Sequence, residues 1–114
     1  MTETLNGAVL KALHDMKAQN INDLDVADIT SITDHMIIAT GTSTRHVKSI
    51  SDAVLEQTKK LHFEPLGVEG EQDAEWVLID LGDVVVHVML PSTREYYQLE
   101  KLWAHFDVHE VVNA

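Results

Sequence analysis

The chain has 114 residues, of which 19 are acidic and 8 are basic, so its formal net charge at pH 7 is -11. This length fits one domain, and the absence of cysteine excludes disulfides, thiolate nucleophiles and thiolate-rich zinc sites. Because the few basic residues are scattered, the charge argues against naked nucleic acid as a partner and favours a basic protein surface.

The first half of the chain carries the patterns of one helix and two strands. Apolar residues recur at helical spacing over residues 5–16 and predict a first helix that ends near residues 19–20. Two β-rich segments follow, residues 24–29 and His35–Thr40, and we expect them to pair as neighbouring strands.

A second helix is predicted after Gly41, where Thr42 or Ser43 is suited to cap its first turn. Its apolar stripe consists of Val47, Ile50, Val54 and Leu61. Residues 66–69 are then expected to form a short strand, which leads into an acidic loop over residues 69–73.

The most informative segment is WVLIDLGDVVVHVM at residues 76–89, which predicts a β-hairpin with Gly82 and Asp83 as a two-residue turn. One face of this hairpin is purely aliphatic and belongs in a core. The other face pairs Trp76 with Met89, Leu78 with His87 and Asp80 with Val85. This mixed strip is the candidate binding surface.

A third, short helix is predicted after Pro91, since Ser92 and Glu95 have the spacing of a capping box. Its remaining apolar positions are Tyr96, Leu99, Leu102 and Trp103. The element order predicts a single α/β domain with a mixed β-sheet and the two long helices packed on one face. Only the segment after Pro91 is available for the other face, so we expect the strip to be partly exposed.

The predicted partner-binding residues fall into four groups of two. They are Trp76 and Met89 as anchors, Leu78 and Val85 as contact area, and Asp80 and His87 as polar specificity groups, with Arg94 and Tyr97 as weaker candidates. For the last two, an alternative stays open: Arg94 pairs with an acid of its own fold, and Tyr97 belongs to the core.

Catalytic patterns are weak by comparison. Gly41-Thr42-Ser43 lies at a strand-to-helix junction that is able to hold a phosphate, but nucleotide transfer also requires carboxylates that converge on a metal. Neither Asp23 with Asp25 nor Asp80 with Asp83 is placed for that. His105 and His109 have i, i+4 spacing but are interpreted as solvent-exposed. We therefore predict no enzyme activity, metal or cofactor.

Several runs together resemble the ribosomal silencing factor, or Iojap-like, family. They are GTSTRHV at residues 41–47, WVLID at 76–80, GDVVVHV at 82–88 and REYYQLEKLW at 94–103. The resemblance covers about residues 5–104 and implies a small fold related to nucleotidyltransferases but without their catalytic carboxylates. The family domain is expected at residues 1–106, followed by a C-terminal tail at residues 107–114.

The resemblance also implies a function. It implies binding to the large ribosomal subunit through large-subunit ribosomal protein fourteen, which sterically blocks the small subunit and represses translation in nutrient limitation or stationary phase. Organelle relatives imply an alternative role in large-subunit assembly, and a nucleotide-transfer enzyme is the third alternative.

The expected location is the cytoplasm, because the first residues lack a signal-peptide pattern and no apolar run approaches the roughly 20 residues that span a bilayer. No direct nucleic-acid site or membrane contact is expected. A homodimer through the half-covered sheet stays open as an alternative use of the strip.

Overall fold

One mixed β-sheet runs through the computed structural model, which describes residues 4–28, 31, 33–102 and 108–110. The helices are α1 (Leu5–Asp15), α2 (Thr44–Lys60), α3 (Pro91–Tyr97) and α4 (Leu99–Leu102). The strands are β1 (Gln19–Asp25), β2 (His35–Thr40), β3 (Gly67–Glu69), β4 (Trp76–Asp80), β5 (Val84–Met89) and β6 (Val108–Glu110). Their order is β3-β4-β5-β2-β1-β6, with β2 and β5 parallel and the other neighbours antiparallel. Within these ranges, no helix has the length and apolar character needed to cross a membrane.

The two long helices cover one face of the sheet and form the main hydrophobic core with it. The helices contribute Leu5, Val9, Leu13, Val47, Ile50 and Val54, and the hairpin contributes Val77, Ile79, Val84, Val86 and Val88. Burying a side chain of this size stabilises the fold by about 1.5–3 kcal/mol relative to leaving it exposed. The predicted α/β domain with both long helices on one face is confirmed.

The opposite face carries a second, smaller core. Its buried side chains are Leu24, Val26, Ile38 and Met89, with Met36, Trp76 and Leu99 packed against them. Leu99 begins α4, so the segment after Pro91 covers more of this face than its length suggested. The strip is partly exposed, as expected: Trp76, Leu78 and Asp80 are half-buried, whereas Val85, His87 and Met89 are buried.

The hairpin has the predicted register. Trp76 pairs with Met89, Leu78 with His87 and Asp80 with Val85. Gly82 takes a φ of 87° at the first turn position, and its N–H donates to Oδ1 of Asp80 over 2.9 Å. A positive φ at this position is the reason that glycine is required there.

The boundaries between α1 and β1 differ from the prediction. The helix ends at Asp15 and β1 already begins at Gln19, because left-handed Lys17 (φ 59°) turns the chain directly into the sheet. Asn20 is also left-handed (φ 49°), but it lies at an irregularity within β1 rather than at the helix cap.

The start of α3 also corrects the prediction. Its N-cap is Leu90, which makes no side-chain capping bond, and Pro91 occupies the first turn. Proline is pre-organised for this position, so the capping box of Ser92 is not formed.

The C-terminal segment is described in part. Residues 103–107, with Trp103 and His105, lie outside the described residues, whereas Val108–Glu110 of the expected tail pair with β1 as β6.

Gly70 supplies a first test of the packing around Trp76. Its φ is +86°, and a Cβ added there would collide with the carbonyl oxygen of Trp76. We expect Gly70→Ala to lower the free energy of unfolding by more than about 2 kcal/mol, because backbone strain and the collision act together. Urea unfolding followed by circular dichroism measures the change.

Gly67→Ala is the matched control, since nothing lies within 4 Å of a Cβ added at Gly67. It should change the free energy of unfolding by less than about 0.5 kcal/mol. Equal effects of the two substitutions would contradict the role assigned to the close approach of Gly70 and Trp76.

Candidate functional site

A chain of four aromatic rings runs from the second core to the surface. The ring centroids of His87 and Trp76 are 5.9 Å apart, those of Trp76 and Tyr97 4.8 Å, and those of Tyr97 and Tyr96 4.9 Å. His87 is buried and Trp76 half-buried, whereas Tyr97 is 53% and Tyr96 81% exposed. Trp76, Tyr96 and Tyr97 are here named the aromatic patch. Contiguous exposed aromatic side chains are typical of a protein-binding surface.

A hydrogen bond fixes the inner end of the aromatic patch. Trp76 Nε1 donates to His87 Nδ1 over 2.9 Å. Because an indole nitrogen only donates, Nδ1 of His87 is unprotonated and the neutral ring carries its proton on Nε2. Desolvation by burial lowers the pKa of His87 from 6.5 to about 4. His87 is therefore neutral at physiological pH and orients the Trp76 indole as a hydrogen-bond acceptor.

The two tyrosines are placed by α3, which Arg94 anchors to the sheet. Arg94 Nη1 donates to the carbonyl oxygen of Asn20 over 2.6 Å and to Oγ1 of Thr40 over 2.8 Å. These bonds join α3 to the start of β1 and the end of β2. The bonds of Arg94 therefore fix the position of α3 on the sheet, and with it the position of Tyr96 and Tyr97 at the end of this helix.

An open groove of about 380 Å³ lies along the aromatic patch. It is lined by Gly70, Asp73, Glu75, Trp76, Ser92, Thr93, Tyr96 and Tyr97. The acidic loop between β3 and β4 is closed by a bond of 2.9 Å from the N–H of Ala74 to the carbonyl oxygen of Gly70. This loop supplies the exposed carboxylates of Asp73 and Glu75. We name this feature the aromatic groove.

Three residues predicted to contact a partner directly are buried. Met89 is fully buried in the second core, and Val85 and His87 are buried as well. For Met89 the α3–α4 segment contributes to this burial, because Leu99 packs against the second core that contains Met89. Met89 and His87 lie beneath Trp76 and support it, rather than forming part of the exposed surface.

The remaining predicted residues lie in separate places. Leu78 is half-buried and pairs with His87. Asp80 accepts the N–H of Gly82 and so stabilises the hairpin turn. It lies at the last position of β4, whereas Trp76 lies at the first. The structure therefore brings Trp76 and Tyr97 together, and places Asp80 and Arg94 in bonds that stabilise the fold.

Of the eight residues that line the aromatic groove, only Trp76 and Tyr97 were predicted as site residues, and the missed ones include Tyr96, Asp73 and Glu75. Tyr96 was assigned to the apolar side of the third helix, but its ring faces solvent. Successive helical residues point about 100° apart, so two adjacent tyrosines do not both face a core under a seven-residue helix. That adjacency, and the acidic loop immediately before Trp76, were the available signals.

The Gly-Thr-Ser turn starts α2 and is bonded within the fold. Ser43 Oγ accepts the N–H of His46 over 3.1 Å. The N–H of Thr42 donates to His46 Nδ1 over 2.9 Å, and His46 Nε2 donates to the carbonyl oxygen of Met16 over 2.7 Å. Among the residues that the structure describes, no group of three or more His, Asp or Glu is arranged to hold a metal ion.

Comparison with known proteins gives consistent relatives. A family model described as "Ribosomal silencing factor during starvation" matches residues 2–113. A Chromobacterium violaceum protein named Ribosomal silencing factor RsfS is 44% identical over 101 residues, 89% of this chain and 83% of that protein. A crystal structure of a protein from the same organism has a TM-score of 0.87 and 41% identity, covering 98% of this chain and 94% of that chain. A mouse protein named Mitochondrial assembly of ribosomal large subunit protein 1 is 36% identical over 77% of this chain, which spans 41% of the mouse protein.

The lowered pKa of His87 predicts how stability depends on pH. The unfolded chain binds a proton on this ring below about pH 6.5, whereas the folded chain excludes it down to about pH 4. Stability is therefore lost as the pH falls through this window, by about 3 kcal/mol in total. His87→Gln keeps an acceptor for Trp76 Nε1 that does not titrate.

Urea unfolding of the wild type and of His87→Gln between pH 7.5 and pH 4 isolates this contribution, because the other histidines cancel in the difference. The stability advantage of the wild type should shrink as the pH falls. A difference that stays constant with pH would contradict the assigned protonation state.

Proposed function

The chain belongs to the ribosomal silencing factor family, and we propose that it binds the large ribosomal subunit through large-subunit ribosomal protein fourteen. Occupation of that surface sterically blocks the small subunit and represses translation when nutrients are limiting or growth has stopped. The observation that carries this proposal is the aromatic patch, which is exposed beside two carboxylates.

The aromatic patch suits this role because large aromatic side chains contribute most of the binding energy in many interfaces. Trp76 is held in place by His87. The Tyr97 ring contacts it at a tilted angle, and the Tyr96 ring meets Tyr97 edge to face. An interface of about 800 Å² per partner is sufficient for specific binding, and blocking requires bulk at the right place rather than a chemical step.

The charge of the chain supports a basic partner. With a net charge of -11, the protein is attracted to positively charged surfaces, which raises the association rate in particular. Ribosomal proteins are mostly basic because they neutralise RNA phosphates.

The same proposal includes the location and the chemistry of the protein. We propose that it acts in the cytoplasm with the ribosome, without a cofactor, an enzymatic step or a direct nucleic-acid site.

A role in large-subunit assembly is the second candidate function. It is favoured by the similarity to the mouse protein named Mitochondrial assembly of ribosomal large subunit protein 1. Both roles use the same surface of this chain, and they differ in whether a mature large subunit is prevented from joining the small one.

Substitution of the aromatic patch should weaken binding to large subunits. We expect Trp76→Ala and Tyr97→Ala each to cost about 2 kcal/mol or more, roughly a thirtyfold loss of affinity. Leu66→Ala is the control, because Leu66 is 77% exposed but lies far from the aromatic patch. Its backbone N–H donates to the carbonyl oxygen of Asp80, and Asp80 and Trp76 lie at the two ends of β4. Sedimentation of purified subunits, at a magnesium concentration that permits joining, measures both binding and the joined peak.

The outcomes separate the candidates. Binding together with a reduced joined peak supports silencing, and binding without an effect on joining favours assembly. If the folded patch variants bind as well as Leu66→Ala, the patch is not the interface. Failure to bind either subunit would overturn both ribosomal roles.

Salt should act mainly on the association rate. Raising the ionic strength from about 50 to 300 mM shortens the Debye length from roughly 14 to 6 Å, and we expect the association rate constant to fall about tenfold or more. Stopped-flow or biosensor kinetics with large subunits measure it at several salt concentrations. A rate constant independent of salt would exclude electrostatic steering by the acidic surface.

A further inference from the structure

The aromatic groove has the composition of a receptor for a positively charged side chain. It combines the three rings of the aromatic patch with the carboxylates of Asp73 and Glu75. Cations are attracted to the faces of tryptophan and tyrosine rings and to carboxylates. We propose that the aromatic groove receives one arginine side chain of the partner protein, an inference that rests on the proposed function and names the side chain it recognises.

Arginine fits this groove better than lysine does. Its guanidinium is planar, stacks on aromatic faces and presents several N–H donors to carboxylates, whereas an ammonium group is a compact and strongly hydrated charge. The aromatic groove is open and has a volume of about 380 Å³, which is sufficient for a guanidinium group and part of its aliphatic stem.

The lining of the aromatic groove is acidic and contains no basic side chain among the residues that the structure describes. Arg94, on the same helix, donates to the carbonyl oxygen of Asn20 and to Oγ1 of Thr40. In a chain of net charge -11, the carboxylates of Asp73 and Glu75 favour a cation from another molecule.

An apolar occupant is disfavoured by the same lining. Besides the carboxylates, the hydroxyls of Ser92 and Thr93 line the aromatic groove. A leucine or phenylalanine side chain would remove these groups from water without giving them a hydrogen-bond partner, which is costly. A guanidinium provides donors for the oxygens while its flat face contacts the rings.

The first test uses the isolated full chain and a small probe, so it does not depend on the ribosome. Nα-acetyl-arginine amide is titrated while NMR follows the indole N–H of Trp76 and the ring signals of Tyr96 and Tyr97. We expect saturating shifts with half-saturation on the order of 10 mM. The citrulline analogue, which has the same shape without the charge, should give weak, non-saturating shifts.

Matched variants locate the probe. Asp73→Asn together with Glu75→Gln should weaken probe binding at least about fivefold, and Tyr96→Leu about threefold, whereas Tyr96→Phe retains it. Asp52→Asn removes an exposed charge from α2 on the other face of the sheet and should leave binding unchanged. The corresponding lysine derivative, Nα-acetyl-lysine amide, is titrated in the same way. The proposal is overturned if the citrulline analogue binds as well as the arginine probe or if the lysine derivative binds more tightly. It is also overturned if the Asp73 and Glu75 substitutions leave probe binding unchanged.

Large-subunit binding separates this inference from the proposed function. If Asp73→Asn with Glu75→Gln weakens both probe and large-subunit binding at least about tenfold relative to Asp52→Asn, both proposals are supported. If these substitutions weaken probe binding alone while large subunits still bind, the aromatic groove recognises arginine but the ribosomal interface lies elsewhere.

Discussion

The pairing register of β4 with β5 is the constraint on which both the core and the candidate site depend. Asp80 holds the N–H of Gly82, and Gly82 takes the positive φ that a two-residue turn needs. Alternation then directs Val77 into the main core and Trp76 into the second one. A slip of one residue would exchange the two faces of β4 and remove the bond between Trp76 and His87. A tight turn thus determines where the aromatic patch begins, at the other end of the hairpin.

The sequence predicted the elements whose signals are local. The strand His35–Thr40, the hairpin register and the Ser43 cap of α2 agree with the structure, because turn chemistry and alternation are encoded by neighbouring residues. The position of the α3–α4 segment, which covers the second face of the sheet, is not encoded by neighbouring residues. It depends on bonds from Arg94 to Asn20 and Thr40, which are 74 and 54 positions away. Periodicity within a short segment contains no information about such partners.

In the candidate site as well, the sequence predicted on which face of the sheet a residue lies but not how deeply it is buried. Alternation correctly placed Trp76 and His87 on one face of the hairpin, but it did not indicate that His87 lies beneath the surface. Burial then changes the chemistry of this ring: a group expected to provide polar specificity is a neutral acceptor that orients the Trp76 indole. Tyr96 is the opposite case, since a residue expected on the apolar side of a helix is 81% exposed.

The fixed geometry of the aromatic patch and its charge bear on the choice of partner. Trp76 is held by His87 from below and contacts Tyr97, so little side-chain freedom remains to be lost on binding. An exposed patch of this kind also favours self-association, which is the homodimer considered from the sequence. Two copies that meet through the patch would bring the carboxylates of Asp73 and Glu75 near their own counterparts, and like charges in a desolvated interface are destabilising. The same carboxylates become favourable when the opposing surface is basic. The acidic loop beside Trp76 therefore favours a basic partner over a second copy of this chain.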